Sequence, residues 1–132
     1  MAAGDASRVM EAAHLFDSPP VPGAIERFLA DPNHHLLIAY SAGAPLGFVS
    51  GVEVTHPDKG TEMFLYELAV DQHHRHRGIG TALVNALAEL ARSRDCYGMW
   101  VLTDDENAAA AATYAKAGGD VESQPLMFSW KF

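Results

Sequence analysis

Glu62–Leu90, EMFLYELAVDQHHRHRGIGTALVNALAEL, contains a change of periodicity that decides the fold. Met63–Val70 is an apolar run with aromatic residues and a β-branched end, the pattern of a buried strand. A short polar turn carrying Gly78 and Gly80 follows it. From Ile79 onward the apolar side chains take helical spacing, and Ile79, Leu83, Val84, Leu87, Leu90 and Ala91 share one face. Outward from this unit, Leu36–Tyr40 and Leu46–Thr55 read as strands of a hairpin, joined through Ala42-Gly43-Ala44-Pro45. His56–Gly60 is a second turn, so Glu62–Val70 is the third strand of a meander. Gly98–Asp104 and Leu126–Phe132 are predicted strands. Ala6–Phe16, Pro22–Ala30 and Asn107–Lys116 are predicted helices. The first has Asp5 or Ser7 as cap and Val9, Met10, Ala13 and Phe16 as its apolar face, and the last is stopped by Gly118-Gly119. An antiparallel meander followed by strand, helix and strand predicts one α+β domain over residues 1–132, a mixed, mostly antiparallel sheet flanked by helices in a sandwich-like arrangement.

The turn between strand and helix has the physical form of an anion site. The first turn of a helix leaves up to four N–H groups without intrahelical partners, and the aligned peptide dipoles put about half a positive charge there. Glycines let a phosphate approach the backbone, and Arg75 and Arg77 add guanidinium donors. The spacing Arg75-x-x-Gly78-x-Gly80 lacks the Lys-Ser/Thr end of a P-loop and the three glycines of a dinucleotide fingerprint. His73, His74 and His76 stand in the same turn without the spacing or companions of a zinc site, so no metal is expected.

Composition narrows the classes. With 132 residues, nearly half apolar and a fifth charged, the chain is long enough for one packed core. No apolar run approaches the roughly 20 residues that cross a bilayer, and the first residues do not form a secretory signal, so a cytoplasmic location is expected. Cys96 is the single cysteine, which excludes an internal disulfide; it reads as a small residue at the start of a strand. A formal charge of −8 disfavours nucleic acid. One basic turn on an acidic protein suits an anionic cofactor and a cationic partner. A cationic partner is therefore expected, with neither nucleic acid nor membrane, and a homodimer is an allowed assembly.

Arg75-His76-Arg77-Gly78-Ile79-Gly80 resembles the Q/R-x-x-G-x-G/A motif of the GCN5-related N-acetyltransferases, the GNAT superfamily. The resemblance extends to a second motif in the C-terminal half, N-x-x-A-x-x-x-Y-x-K-x-G, present as Asn107, Ala110, Tyr114, Lys116 and Gly118. It covers residues 34–132 well and the first thirty loosely, and it implies the GNAT fold with acetyl-CoA (coenzyme A) as cofactor. The usual first strand is expected to be absent or vestigial, because too few residues precede Ala6. By the same resemblance, Leu68, Ala69, Val70, Arg75, His76, Arg77, Gly78, Ile79, Gly80 and Thr81 contact the cofactor. Asn107 meets its pantetheine arm, and Tyr114 lies near the thioester sulfur, where it can protonate the departing thiolate. A phenol of pKa near 10 is a reasonable acid for that role. Asn107 and Tyr114, about two helical turns apart, are expected to project from one side of their helix.

Glu67 bears on the acceptor. A carboxylate inside a central strand is costly unless paired, and a buried acid in a cleft has a raised pKa, which suits a general base. An attacking amine arrives protonated and must lose that proton. A structural ion pair with Arg27 or Lys131 is the other reading. Tyr66-Glu67-Leu68-Ala69-Val70 is also similar to the Y-[DE]-L-A-V strand of GNAT-type aminoglycoside 3-N-acetyltransferases, as are Leu15-Phe16-Asp17 and the acidic loop Thr103–Asn107. That similarity implies that Glu67 binds and deprotonates the 3-amino group, beside Tyr66, while Asp104 and Asp105 meet other ammonium groups. An antibiotic-resistance acetyltransferase is the implied role. A polyamine, or a lysine or N-terminal amine of a peptide, fits the charge equally. A non-catalytic acyl-CoA-binding module and a structural subunit remain open alternatives.

Overall fold

A two-residue turn starts the sheet. Ala42 and Gly43 both have positive φ, 50° and 82°, the geometry whose twist matches antiparallel strands. They join β1 (His34–Ser41) to β2 (Ala44–His56). After the turn at residues 57–59, β3 (Gly60–Val70) runs back along β2, from His56↔Gly60 to Gly47↔Val70. The last strand, β4 (Met99–Trp100), lies parallel to β3 through Met63 and Phe64 alone. The order is β1-β2-β3-β4, a mixed sheet of four strands. The computed structural model describes residues 5–104, 106–122 and 126–132.

Helices cover both faces. Side chains alternate across a strand, so adjacent residues of β2 serve opposite cores. Phe48 packs with Val9, Ala12, Leu15, Ile25 and Leu29 from α1 (Ala6–Glu11), the 3-10 turn Ala13–Leu15 and α2 (Pro22–Ala30). Val49 packs with Met63, Leu65, Leu83, Val84, Leu87 and Ala91 on the side of α3 (Ile79–Ser93). The helix α4 (Ala108–Lys116) lies beside α3, and its Tyr114 and the following Ala117 close over that second core. Gly118, at φ 92°, ends α4, with the N–H of Gly119 donating to the Tyr114 carbonyl at 3.0 Å. Among the described residues no helix is long and apolar enough to cross a membrane.

Four sequence expectations need correction. The first helix is shorter than Ala6–Phe16, and its buried residues are Val9, Ala12 and Leu15. That spacing of three belongs to the tighter 3-10 turn that completes it, and Met10 is half exposed. Asp5 stands at the N-cap but makes no side-chain cap bond. The strand expected over 98–104 pairs only at Met99 and Trp100. Beyond that point β3 carries an irregularity opposite Ser50 and Gly51, and a bulged strand bends away from its neighbour. The strand expected over 126–132 is not formed: a two-residue β4 offers little edge to pair with, and Leu126 and Trp130 stand 83% and 76% exposed.

Candidate active site

Glu67 owes its position to the bulge. Ser50 pairs with Glu67, but Gly51 pairs with Leu65, so Tyr66 is the extra residue on β3. A one-residue insertion reverses which face the following side chains meet. Met63 and Leu65 face α3, and an unbroken alternation would send Glu67 the same way. Instead Leu68 packs toward α3, while Ala69 packs against the α1–α2 core and Glu67 lines hollows on that side. The Glu67 N–H donates to the Ser50 hydroxyl at 3.1 Å, and Ser50 is 7% exposed. Gly51 permits the arrangement: a Cβ there would lie 2.9 Å from Met63 Sδ and 3.0 Å from both Leu87 methyl carbons.

Glu67 stands between two hollows. One, of about 550 Å³, is open and lined by Phe16, Asp17, Ser18, Phe64, Tyr66, Glu67, Leu102 and Met127. The other, of about 430 Å³, lies between α1, α2 and the sheet. Burial, and then the Asp17 carboxylate, raise the Glu67 pKa above its ordinary value. Among the described residues Glu67 has no cationic partner, so neither Arg27 nor Lys131 makes the ion pair considered from sequence. Tyr66 is exposed and meets Phe64 edge-on at 5.7 Å, while Trp100 stacks on Phe64 at 4.2 Å.

The opposite side of β3 leads to the basic turn. The ladder to β4 stops at Phe64, so among the described residues the outer edge of Leu68, Ala69 and Val70 has no strand beside it. Asp71 holds the start of the turn, its carboxylate accepting from His73 N–H at 2.9 Å, with His74 Nδ1 3.7 Å away. That bond from His73 keeps the Asp71 carboxyl below its usual range. His74 Nδ1 itself is buried without a hydrogen-bond partner. Arg75 Nε donates to the Val70 carbonyl at 3.2 Å, which leaves the other guanidinium nitrogens exposed with Arg77. His76 and Gly78 are left-handed, at φ 64° and 81°, and such turns point successive N–H groups into one concavity. No side chain caps α3, so Ile79, Gly80 and Thr81 offer unpartnered first-turn amides.

The two glycines act differently. Around Gly78 there is open space, and its need is conformational. A Cβ on Gly80 would meet Thr113 Cγ2 at 3.3 Å, so Gly80 also lets α4 approach α3. That approach places Tyr114, half-buried, against the α3 core, and burial raises its phenol above its ordinary value. Asn107 is the N-cap of α4 rather than part of the helix. Its Oδ1 accepts from Ala110 N–H at 3.0 Å, so only its amide NH₂ is left to reach outward. Asp104 is exposed in the preceding loop, its carbonyl accepting from Asn107 N–H, and it lines neither hollow. Asp105 lies outside the described residues. Sequence reasoning gave no role to Ser50 or to Asp17; the Leu15-Phe16-Asp17 motif pointed at the latter, and nothing in the chain marks the former.

The site thus joins a bulged strand, an uncapped basic helix start beside it and a second helix laid across. Residues 7–119 match the acetyltransferase (GNAT) family. The chain belongs to that family. It is an N-acetyltransferase, and its acyl donor is acetyl-CoA. Over 117 residues it is 35% identical to the N-alpha-acetyltransferase RimI of Mycobacterium tuberculosis (strain ATCC 25618 / H37Rv), covering 86% of this chain and 72% of the relative. The aminoglycoside acetyltransferase meta-AAC0020, from an uncultured soil metagenomic sample, has the same fold, with a TM-score of 0.91 at 19% identity over 100% of this chain and 93% of that one. A second aminoglycoside acetyltransferase from such a sample, HMB0005, gives 0.86 at 26% identity, over 100% of this chain and 95% of its own. The residues of this GNAT chain fit the donor: uncapped amides and two exposed guanidinium groups share the turn after β3, the donor set that a diphosphate takes.

Proposed function

We propose that this enzyme moves the acetyl group of acetyl-CoA onto a primary amine of a polycationic small molecule, with the 3-amino group of an aminoglycoside as the best match. The observation that carries the reading is Glu67, turned by the bulge onto the open face beside Asp17 and left without a cation among the described residues. A half-buried carboxylate so placed attracts an ammonium group and can take its proton. Two carboxylates on one open hollow suit a body with more than one ammonium, and Asp104 at the neighbouring loop suits a further one. The similarity to HMB0005 supports this acceptor class, and the Tyr66–Val70 motif supports the 3-amino position.

On this reading the first-turn amides of Ile79, Gly80 and Thr81, the loop at His76 and Gly78, and the Arg75 and Arg77 guanidinium groups hold the diphosphate. The main chain of Leu68, Ala69 and Val70 and the Asn107 amide align the pantetheine arm. The Leu68 N–H donates to the thioester carbonyl oxygen. Glu67 accepts the ammonium proton, directly or through water, and the freed lone pair on nitrogen attacks the acyl carbon. The C–N bond forms as the C–S bond breaks. Tyr114 gives its hydroxyl proton to the departing sulfur and is restored from solvent, which receives the second proton from nitrogen.

The relation to RimI favours a second reading, in which the acceptor is the N-terminal amine of a protein. Thiol release from acetyl-CoA, measured with aminoglycosides, polyamines and peptides in turn, separates the two. Release with a gentamicin-like compound and not with spermidine is expected. Glu67→Ala is expected to lower turnover by about 10²-fold or more with acetyl-CoA affinity nearly unchanged, and equal loss of both would make the residue structural. Acetyl-CoA binding with no release from any amine would leave a non-catalytic module.

A further inference from the structure

The hollow between α1, α2 and the sheet is not built for a polycation. Its volume is about 430 Å³, and Phe16, Val21, Ile25, Phe28, Leu36 and Val52 are among the apolar side chains of its wall. The polar groups reaching it are few. Ser50 is occupied with the Glu67 N–H, His34 stands beside Asp31 and against the Phe28 ring, and Ser18, Tyr66 and Glu67 sit at the margin shared with the open hollow. A second or third ammonium placed here would meet hydrocarbon and lose its hydration without a counter-ion. An apolar body has no such penalty. A dry cavity of about 150 Å³ takes a benzene ring, and this one is nearly three times as large, within the range of small-molecule sites.

We propose that the acceptor site takes a primary amine carried on an apolar body, an aromatic or branched aliphatic group a few bonds from nitrogen, with the hydrocarbon seated in this chamber and the nitrogen at Glu67. The inference rests on Glu67 as the base for the acceptor, and it adds a substrate class that the polycation reading does not contain. A free arylalkylamine and a peptide beginning with a large apolar residue present the same chemistry. Both place an ammonium at the end of a short linker from an apolar group, which matches a single carboxylate on the margin of an apolar chamber.

The test uses the full chain with acetyl-CoA and matched pairs of acceptors, 2-phenylethylamine against ethanolamine and Phe-Gly-Gly against Gly-Gly-Gly. The apolar member of at least one pair is expected to have the higher kcat/KM by about 10- to 200-fold, and which pair responds tells a free amine from a peptide. Ala24→Phe projects a ring into the chamber from an exposed position on α2 and is expected to bring that ratio to within about threefold of unity. Should that variant not fold, Val21→Trp, from a 62% exposed wall position, makes the same test. A preference that survives both fillings, or turnover of polycations with no preference in either pair, overturns the apolar subsite and leaves Glu67 as base. The Glu67 reading fails separately if Glu67→Gln keeps full turnover with whichever amine is accepted.

Discussion

At the scale of single residues, the proposed chemistry turns on two groups that burial pushes the same way with opposite use. Glu67 must be ionised to accept a proton, yet burial and then Asp17 hold its pKa up. The acidic limb of kcat against pH is therefore expected above the range of a solvated glutamate, with turnover rising as pH passes through the folded pKa. Asp17→Asn removes the neighbouring charge, so the midpoint should move to lower pH while the plateau stays. The stability sign follows from the same shift. A carboxyl whose folded pKa is raised favours the folded state when protonated, and that advantage is lost as pH rises from the unfolded pKa through the folded one. Glu67→Gln is accordingly expected to melt higher than the parent at neutral pH and alike in acid, which thermal scans at the two pH values would show. In the proposed mechanism Tyr114 has the reverse task. Burial keeps its phenol protonated well into the alkaline range, as a donor to sulfur requires. Tyr114→Phe should lower kcat by about 10²-fold and leave the acidic limb where it was; loss of that limb as well would mean that α4 had moved.

Secondary-structure elements hold those groups through close approaches that only small residues allow. At Gly51 the place of the missing Cβ is taken by Met63 Sδ and the two Leu87 methyl carbons. Gly51→Ala is expected to cost about 1–3 kcal/mol, read from urea unfolding, and to reduce turnover by pushing α3 from the bulge that aims Glu67. An unchanged midpoint would show that Met63 and Leu87 repack freely. How legible these elements were from sequence follows the same physics. Helical and alternating periodicities report which faces are buried, so α2 and the face of α3 were readable, with Leu83, Val84, Leu87 and Ala91 in the core. The family motifs located the basic turn and Tyr114. The bulge was not readable, because Phe64-Leu65-Tyr66-Glu67 has no local mark of an extra residue and its cause, the register against Ser50 and Gly51, lies on another strand. Apolar content also overstated β4 and the tail: Leu126–Phe132 has the composition of a strand, but a ladder needs a partner edge, and pairing between β3 and β4 ends after two residues.

Across the whole molecule, charge separates the two substrates. Seventeen acidic residues against nine lysines and arginines give the protein a net negative charge, while Arg75 and Arg77 stand together at the head of α3. On the proposed function, a cationic acceptor is drawn by the net charge and then by Asp17 and Glu67. On the same reading the anionic donor is repelled at long range and held at close range by the turn. Salt acts on these differently, because screening removes interactions beyond about 10 Å at 0.1 M and spares contacts. Between about 0.02 and 0.3 M salt, kcat/KM for an acceptor bearing three or more ammonium groups is expected to fall about tenfold, the scale of electrostatic steering. For a monoamine of similar size the change should stay within about twofold. The donor should respond weakly, since screening relieves its long-range repulsion while it loosens the contacts at Arg75 and Arg77. Parallel slopes for the two amines would mean that the acidic surface only keeps the protein dispersed, and that the charge of the acceptor is read at Glu67 and Asp17 alone.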